Sequence, residues 1–345
     1  MGRRKRNEIC LIGCCPSSGS TVLADVLDAQ PISMCGPELC LFSNQSIYSK
    51  KPENCIQSFD ICPAPYKVRN RPYFHNLNYF DMDKKSLKKQ LLKVGVDQLI
   101  QNLANDHFFS RNKPGGIFFE KTPENNHYAR NYLSHFSNGY YLFMVRNPLF
   151  VYNSMLKRGF SKKSSLLNWF IEAYLFIALK KDKRVLSIKY EDFVKNPFKT
   201  SESILKKLNP SLALNETEIK NNYLNDKHRT DAIKRPESWS IENNKAIING
   251  NKKEIDEEIK RQFSLIKNLK IHDKFAARLK FKSLTFMEII EYFGYHTELS
   301  DLFQEYKFED RSFAKIDWIK ALKSLRYNNF NLLDSAIIAH PAQVI

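Results

Sequence analysis

The sequence contains no C-x-x-C pair, and no histidine stands near its cysteines at a spacing that would hold zinc. The usual zinc-finger and dithiol-redox architectures are thereby excluded. All seven cysteines (Cys10, Cys14, Cys15, Cys35, Cys40, Cys55 and Cys62) fall before residue 63, and an odd number argues against a closed set of disulfides. They read as reduced thiols in core and loop, with a redox role for Cys14–Cys15 as the minor alternative. A long apolar run is also missing: the best candidate, LLNWFIEAYLFIAL, is broken by Glu172 and too short to cross a bilayer. The basic start MGRRKRNEIC has no apolar stretch of the kind a secretory signal needs, and Arg6 stands where a myristoylation signal has Ser or Thr. The expected location is therefore cytoplasmic, with no membrane span. There is no repeat of fixed period. No dense Arg/Lys helix with interleaved aromatics is found, so nucleic acid is not an expected partner.

What is present suffices for a large core: 345 residues, 43% hydrophobic and 13% aromatic. The formal net charge of +17 suits anionic partners, although a solvated surface rich in Lys and Asn would carry the same charge. Short apolar runs alternate with helical patterns. EICLIG, GIFFEKTP, YYLFMVR and RVLSIKY read as strands; STVLADVLDAQP, HYARNYLSHF, NPLFVYNSMLKRG and SLLNWFIEAYLFIALKK read as helices. Asn147 is the expected N-cap of its helix, with Pro148 in the first turn. KKSLKKQLLKVGVDQLIQNLAND reads as an amphipathic helix with a lysine face, and residues 50–80 as a long surface loop. The alternation predicts an α/β fold: a three-layer, P-loop-like parallel sheet flanked by helices. Ligands of such sheets bind beyond the carboxyl ends of the strands, where Gly13, Lys121, Arg146 and Tyr190 all fall. After about residue 250 the pattern is helical.

GCCPSSGST, residues 13–21, joins the first strand to the first helix. Gly19 permits close backbone approach, Ser18, Ser20 and Thr21 offer hydroxyls, and the helix start offers free N–H groups, so the loop suits an anion. A nucleotide-hydrolysing P-loop would have lysine where Ser20 stands, and Gly13 and Gly19 are one residue too far apart. No acidic residue marks a clear Walker-B strand. A kinase-like NTPase is kept as the least favoured alternative. Arg146 ends a strand, and Ser154 follows eight residues later, about two turns into the next helix. Together they could hold a second phosphate, or Arg146 could simply leave the sheet for solvent.

Taken together, these motifs resemble the sulfotransferases that use 3′-phosphoadenosine-5′-phosphosulfate (PAPS), and locally the bacterial-type and protein-tyrosine members. GCCPSSGSTVLADVLDAQP looks like their 5′-phosphosulfate loop, FMVRNPLFVYNSMLKRG like their 3′-phosphate motif, IKYEDFVKNP like their strand-end element, and EKTPENN like the turn between the first two motifs. Order and spacing agree over roughly residues 8–240.

The resemblance implies a sulfuryl transfer from PAPS to a hydroxyl acceptor (carbohydrate, small molecule or peptide) without a metal ion. It places Ser17, Ser18, Gly19, Ser20 and Thr21 at the 5′-phosphate, and Arg146 and Ser154 at the 3′-phosphate. Tyr190 joins the donor site from its strand end. Arg235, with Lys234 and Trp239 in KRPESW, would close the adenine end. Lys121 would stabilise the sulfuryl group and bridging oxygen, and Glu38, in PISMCGPELCLF, is the implied base. His127 is the alternative base, with a structural role favoured for it.

One departure matters: Ser17 stands where the family usually has Arg or Lys, a loss that Lys121 or Lys157 would have to offset. A relative that binds PAPS or 3′-phosphoadenosine-5′-phosphate (PAP) without turnover is therefore the second reading. One sulfotransferase-like domain is expected over residues 1–297, with a helical C-terminal tail over 298–345. The net charge suits an anionic sugar or acidic peptide as acceptor.

Overall fold

In the computed structural model, the strand EICLIGC forms β1 (Glu8–Cys14), and its alternation explains why it lies at the centre of a sheet. Ile9 and Leu11 face one apolar cluster, while Cys10, Ile12 and Cys14 face another, so both sides of the strand are covered. The structure describes residues 6–39, 41–42, 45–48, 83–225, 255–271 and 273–305, and the backbone of 338–339.

The chain continues through α1 (Ser20–Asp28), β2 (Ser33–Cys35), α2 (Lys84–Ser110), β3 (Ile117–Lys121), α3 (Asn125–His135) and β4 (Tyr140–Val145). Then follow α4 (Pro148–Lys157), α5 (Lys162–Ile177), β5 (Val185–Lys189), α6 (Tyr190–Lys195), α7 (Pro197–Leu208) and α8 (Glu216–Asn225). The five strands are all parallel, in the order β2-β3-β1-β4-β5. Cys10 of β1 pairs with Phe119 on one side and Tyr140 on the other. The connections run outward in opposite directions from β1, which opens a crevice at the carboxyl end of that strand.

Helices cover both faces. α1, α7 and α8 pack Leu23, Leu27, Leu205 and Ile219 on one side; α3 and α5 pack Tyr132, Leu167, Phe170 and Tyr174 on the other. Helices between 257 and 305 join the second cluster through Phe263, Phe286, Phe293, Leu299 and Phe303. A two-residue strand, Lys270–Ile271, pairs antiparallel with Ile338–Ala339. Among the described residues no helix is long and apolar enough to cross a membrane.

Asn147 and Pro148 start α4 as expected, the Asn147 side chain accepting from the Leu149 amide at 3.0 Å. Three local features differ from the sequence expectation. SMC forms a strand, β2, too short to show any periodicity. Tyr190, read as the end of the strand RVLSIKY, instead opens a short helix, YEDFVK. α2 is broken at Gly95 (φ 73°, ψ 177°), a left-handed backbone that glycine adopts freely. The loop expected over 50–80 lies outside the described residues.

The turn from α1 into β2 is locked from a distance. Lys113 donates to the carbonyls of Asp28, Gln30 and Ser33 at 2.5, 2.7 and 2.9 Å, and the Asp28 carboxylate accepts from the Cys35 amide at 2.7 Å. This anchors the segment that leaves β2 toward Glu38.

Candidate active site

The loop between β1 and α1 turns on two left-handed residues, Ser17 (φ 69°) and Gly19 (φ 87°). The second position admits no side chain: a Cβ there would sit 2.3 Å from Cδ2 of Tyr190, whose ring lies against the loop. The turn leaves donors open at the start of α1. The Ser18 amide bonds back to the Cys15 carbonyl at 3.2 Å, and those of Val22 and Leu23 to the Gly19 carbonyl at 3.1 and 3.4 Å. Among the described residues the amides of Gly19, Ser20 and Thr21 have no acceptor, and the buried Ser18 hydroxyl has no partner. Buried donors without partners are costly unless a ligand takes them. Ser20 accepts a hydrogen bond from the Cys14 thiol at 3.1 Å. The loop fits an anion.

Three strand ends converge here. Arg146, following β4, donates from Nη1 to the Ser17 carbonyl at 3.1 Å, and its guanidinium lies 4.4 Å from the Tyr190 ring centroid. Its own carbonyl accepts from the Trp169 indole at 2.8 Å, which fixes the backbone. Ser154 is half-buried on α4; among the described residues its hydroxyl makes no hydrogen bond, and none joins it to Arg146. Arg158, one turn after Ser154, donates to the Ser17 hydroxyl at 2.9 Å. Of the two cations expected to offset Ser17, Lys157 is exposed and makes no hydrogen bond to it; the neighbouring Arg158 does. Arg235, Lys234 and Trp239 lie outside the described residues, as do Cys40, Cys55 and Cys62.

A second group of side chains occupies the ends of β2 and β3. Lys121, the last residue of β3, is buried, and its Nζ lies 2.6 Å from Glu38 Oε1; the side chains are 7% and 18% exposed. Burial opposes the ammonium charge most strongly, yet the Glu38 carboxylate outweighs it and the lysine pKa is raised. Beneath the pair, Glu120 accepts from the Leu39 amide at 3.0 Å, from the Thr122 hydroxyl at 2.6 Å and from the Asn125 amide group at 2.6 Å. This carboxylate holds the Glu38 segment against β3.

Glu124, on the turn after Lys121, is half-buried, and burial with the nearby charge of Glu38 pushes its carboxyl up to about 7. His127 is hydrogen-bonded to Glu172, a carboxylate only 1% exposed. Glu172 also accepts from the Asn126 side chain at 2.7 Å, and Asn126 accepts from the Tyr141 hydroxyl at 2.7 Å. That network fixes the His127 ring against α5. Cys14 and Cys15 are buried, and burial raises both thiols, Cys14 to about 12, so neither is a ready thiolate.

Sequence reasoning missed Arg158, Glu124 and the pairing of Glu172 with His127. Each left a trace: Arg158 is four residues beyond Ser154 and so shares its helix face; Glu124 follows the E-K-T-P motif; Glu172 interrupts an otherwise apolar helix, which demands a buried partner.

A family model described as "Sulfotransferase family" matches residues 10–213. Among solved structures, the chain is similar to the sulfotransferase domain of the Synechococcus PCC 7002 olefin synthase, at 18% identity over 66% of this chain and 80% of that one, with a TM-score of 0.43. It is similar to the sulfotransferase domain from the curacin biosynthetic pathway, at 16% identity over 81% and 99%, TM-score 0.43. A sulfotransferase from Alicyclobacillus acidocaldarius aligns at 10% identity over 76% and 91%, TM-score 0.39. No match was found among curated protein sequences.

Proposed function

The chain belongs to the sulfotransferase family, and on that premise we propose that it transfers a sulfuryl group from PAPS to a hydroxyl acceptor. The observation that carries this reading is the loop itself. Open amides at Gly19, Ser20 and Thr21, an unpartnered buried hydroxyl at Ser18, and two arginines converge on it from β4 and α4. These groups suit the 5′-phosphosulfate. Arg146 and Ser154 would take the 3′-phosphate, Tyr190 lines the same site, and Arg235 would close its adenine end.

Sulfuryl transfer asks little covalent work of a protein. The acceptor must be held in line with the leaving phosphate, and the charge that develops there must be met by fixed cations. Lys121 is such a cation, kept charged by Glu38. Arg158 supplies a second at Ser17, where most family members carry their own Arg or Lys. The acceptor's proton must pass to a base at this end of the sheet, where Glu38 is the residue the family resemblance implies. The net charge of +17 favours an anionic acceptor such as an acidic sugar or peptide. We place the activity in the cytoplasm, without nucleic acid or metal as partner.

Binding of PAP without turnover is the second reading, and Ser17 is what favours it; the Arg158 contact favours turnover. The test is transfer of labelled sulfate from PAPS into a pool of phenols, sugars and acidic tyrosyl peptides, alongside thermal stabilisation by PAP and by Mg-ATP. Stabilisation by PAP with labelled product is expected; at about a hundred times Kd the ligand adds roughly 2.7 kcal/mol. PAP binding without product would leave the binding-only reading, and preference for Mg-ATP would return the loop to the NTPases.

A further inference from the structure

We propose that Tyr295 and Glu298, in the helical segment that follows residue 255, are positioning residues that aim Arg146 at the donor's 3′-phosphate. The inference rests on the PAPS reading, in which Arg146 takes that phosphate. It goes further by bringing in residues beyond the 10–213 span of the family match.

The peptide group between Arg146 and Asn147 is held at both of its polar atoms by side chains. Its carbonyl accepts from the Trp169 indole at 2.8 Å, and its N–H donates to Glu191 Oε1 at 2.9 Å. Most backbone groups pair with other backbone groups. Here two side chains set the plane from which the Arg146 side chain departs. Its guanidinium then reaches the Ser17 carbonyl at 3.1 Å and lies 4.4 Å from the Tyr190 ring centroid.

Both of those side chains are braced by the C-terminal helices. Trp169, on α5, meets Phe286 and Phe293 edge-on, with ring centroids 5.7 and 6.2 Å apart. Glu191, in the first turn of α6, accepts through Oε2 from the buried Tyr295 hydroxyl at 2.8 Å. One carboxylate thus bridges the Asn147 amide and Tyr295. Tyr295 arrives there because the helix Phe286–Tyr292 closes with the Gly294 and Tyr295 amides bonding back to Glu291 and Ile290 at 2.9 and 2.8 Å. That turn lays the tyrosine ring 4.3 Å from Lys189 Nζ, at the end of β5.

Asn147 is clamped a second time. It is buried, its Oδ1 caps α4, and its Nδ2 donates to Glu298 Oε2 at 2.8 Å. Tyr295 and Glu298 meet their partners across 104 and 151 positions of chain. A guanidinium fork rewards a phosphate only when its direction is fixed. A tilt of the Arg146–Asn147 peptide swings the fork, whereas the open amides of Gly19, Ser20 and Thr21 do not share these supports. Loosening the brace should cost affinity for the 3′-phosphate and spare the 5′-phosphate.

The experiment measures, by calorimetry on the full chain, the affinities for PAP and for adenosine 5′-phosphate, which lacks only the 3′-phosphate. The variants are Tyr295→Phe, Glu191→Ala, Glu191→Gln, Asn147→Asp, and Asn147→Asp with Glu298→Gln. Urea midpoints without nucleotide separate lost stability from lost selectivity.

The wild type should prefer PAP by about tenfold or more. Tyr295→Phe keeps the packed ring and should narrow that preference about fivefold, through PAP alone. Glu191→Ala removes both hydrogen bonds and should abolish most of it; Glu191→Gln retains an acceptor for the Asn147 amide and should restore part. Asn147→Asp keeps the cap of α4 but sets a carboxylate against Glu298, and should also narrow the preference about fivefold. Adding Glu298→Gln reverses donor and acceptor across that contact and should recover the loss. A preference that survives both Tyr295→Phe and Glu191→Ala, or affinities for the two nucleotides that fall in proportion, overturns the proposal and leaves the PAPS reading in place. A wild type that does not prefer PAP overturns that reading, and the proposal with it.

Discussion

The two ends of the crevice are built from opposite materials. At the proposed donor end, the loop from Ser17 to Thr21 presents amides, hydroxyls and two arginines, and leaves several of its donors open. At the proposed acceptor end, Glu38, Glu120, Glu124 and Glu172 lie with Lys121 and His127, and most of these side chains are already paired. Arginine does not titrate in the working range, so the donor end holds its charge at any ordinary pH. Burial and the charge of Glu38 raise the carboxyls of Glu120 and Glu124, Glu124 to about 7, so those two groups respond to pH. A fixed positive surface suits binding a polyanion; a titrating cluster suits moving a proton.

The sharpest way to break this contrast is to remove Lys121, the buried lysine paired with Glu38. Lys121→Met deletes the charge that the proposed mechanism aims at the leaving oxygen and strands Glu38. Turnover should fall by at least 10²-fold, about 3 kcal/mol of transition-state stabilisation, and the fold should lose roughly 3 kcal/mol from the broken buried pair. PAP should still bind. Transfer rates and denaturant midpoints with and without PAP check each part; a PAP affinity lost in step with turnover would show that the two ends are not separable.

At the donor end, Gly19→Ala forces a Cβ into the Tyr190 ring at a backbone angle disfavoured for alanine. The strain, about 1–3 kcal/mol, should fall on the loop. PAP affinity should drop at least tenfold while the pH dependence of the remaining activity keeps its midpoint, as calorimetry and a rate profile would reveal. The smallest effect is expected at Arg158, which is exposed. Arg158→Ala should slow transfer about tenfold, and adding Ser17→Arg to it should recover most of the loss. Failure of that rescue would mean that the Arg158–Ser17 contact only shapes the loop.

The same contrast governs what could be read from the sequence. Most of the donor end is legible because its parts sit at strand ends or just beyond them: Gly19 and Ser20 after β1, Arg146 after β4, Tyr190 after β5. Parallel topology alone brings strand ends together. The strands were visible as apolar runs for the same reason, since burial on both faces removes polar alternation.

The acceptor end depends on how distant segments fold back. Glu38 meets Lys121 across 83 positions of chain, through a strand, β2, too short to leave a pattern. Glu172 meets His127 only because α5 packs on α3. At the other end Arg158 was hidden for the same reason: it meets Ser17 across 141 positions of chain.

The account stands most directly on one binding comparison: calorimetric titration of the full chain with PAP and with adenosine 5′-phosphosulfate, which lacks the 3′-phosphate, repeated on Arg146→Ala. The expected result is that PAP binds the wild type at least tenfold more tightly, and that the gap closes in the variant because the group reading the 3′-phosphate has gone. Equal affinity for the two ligands in the wild type, or a gap that survives the loss of Arg146, would contradict it.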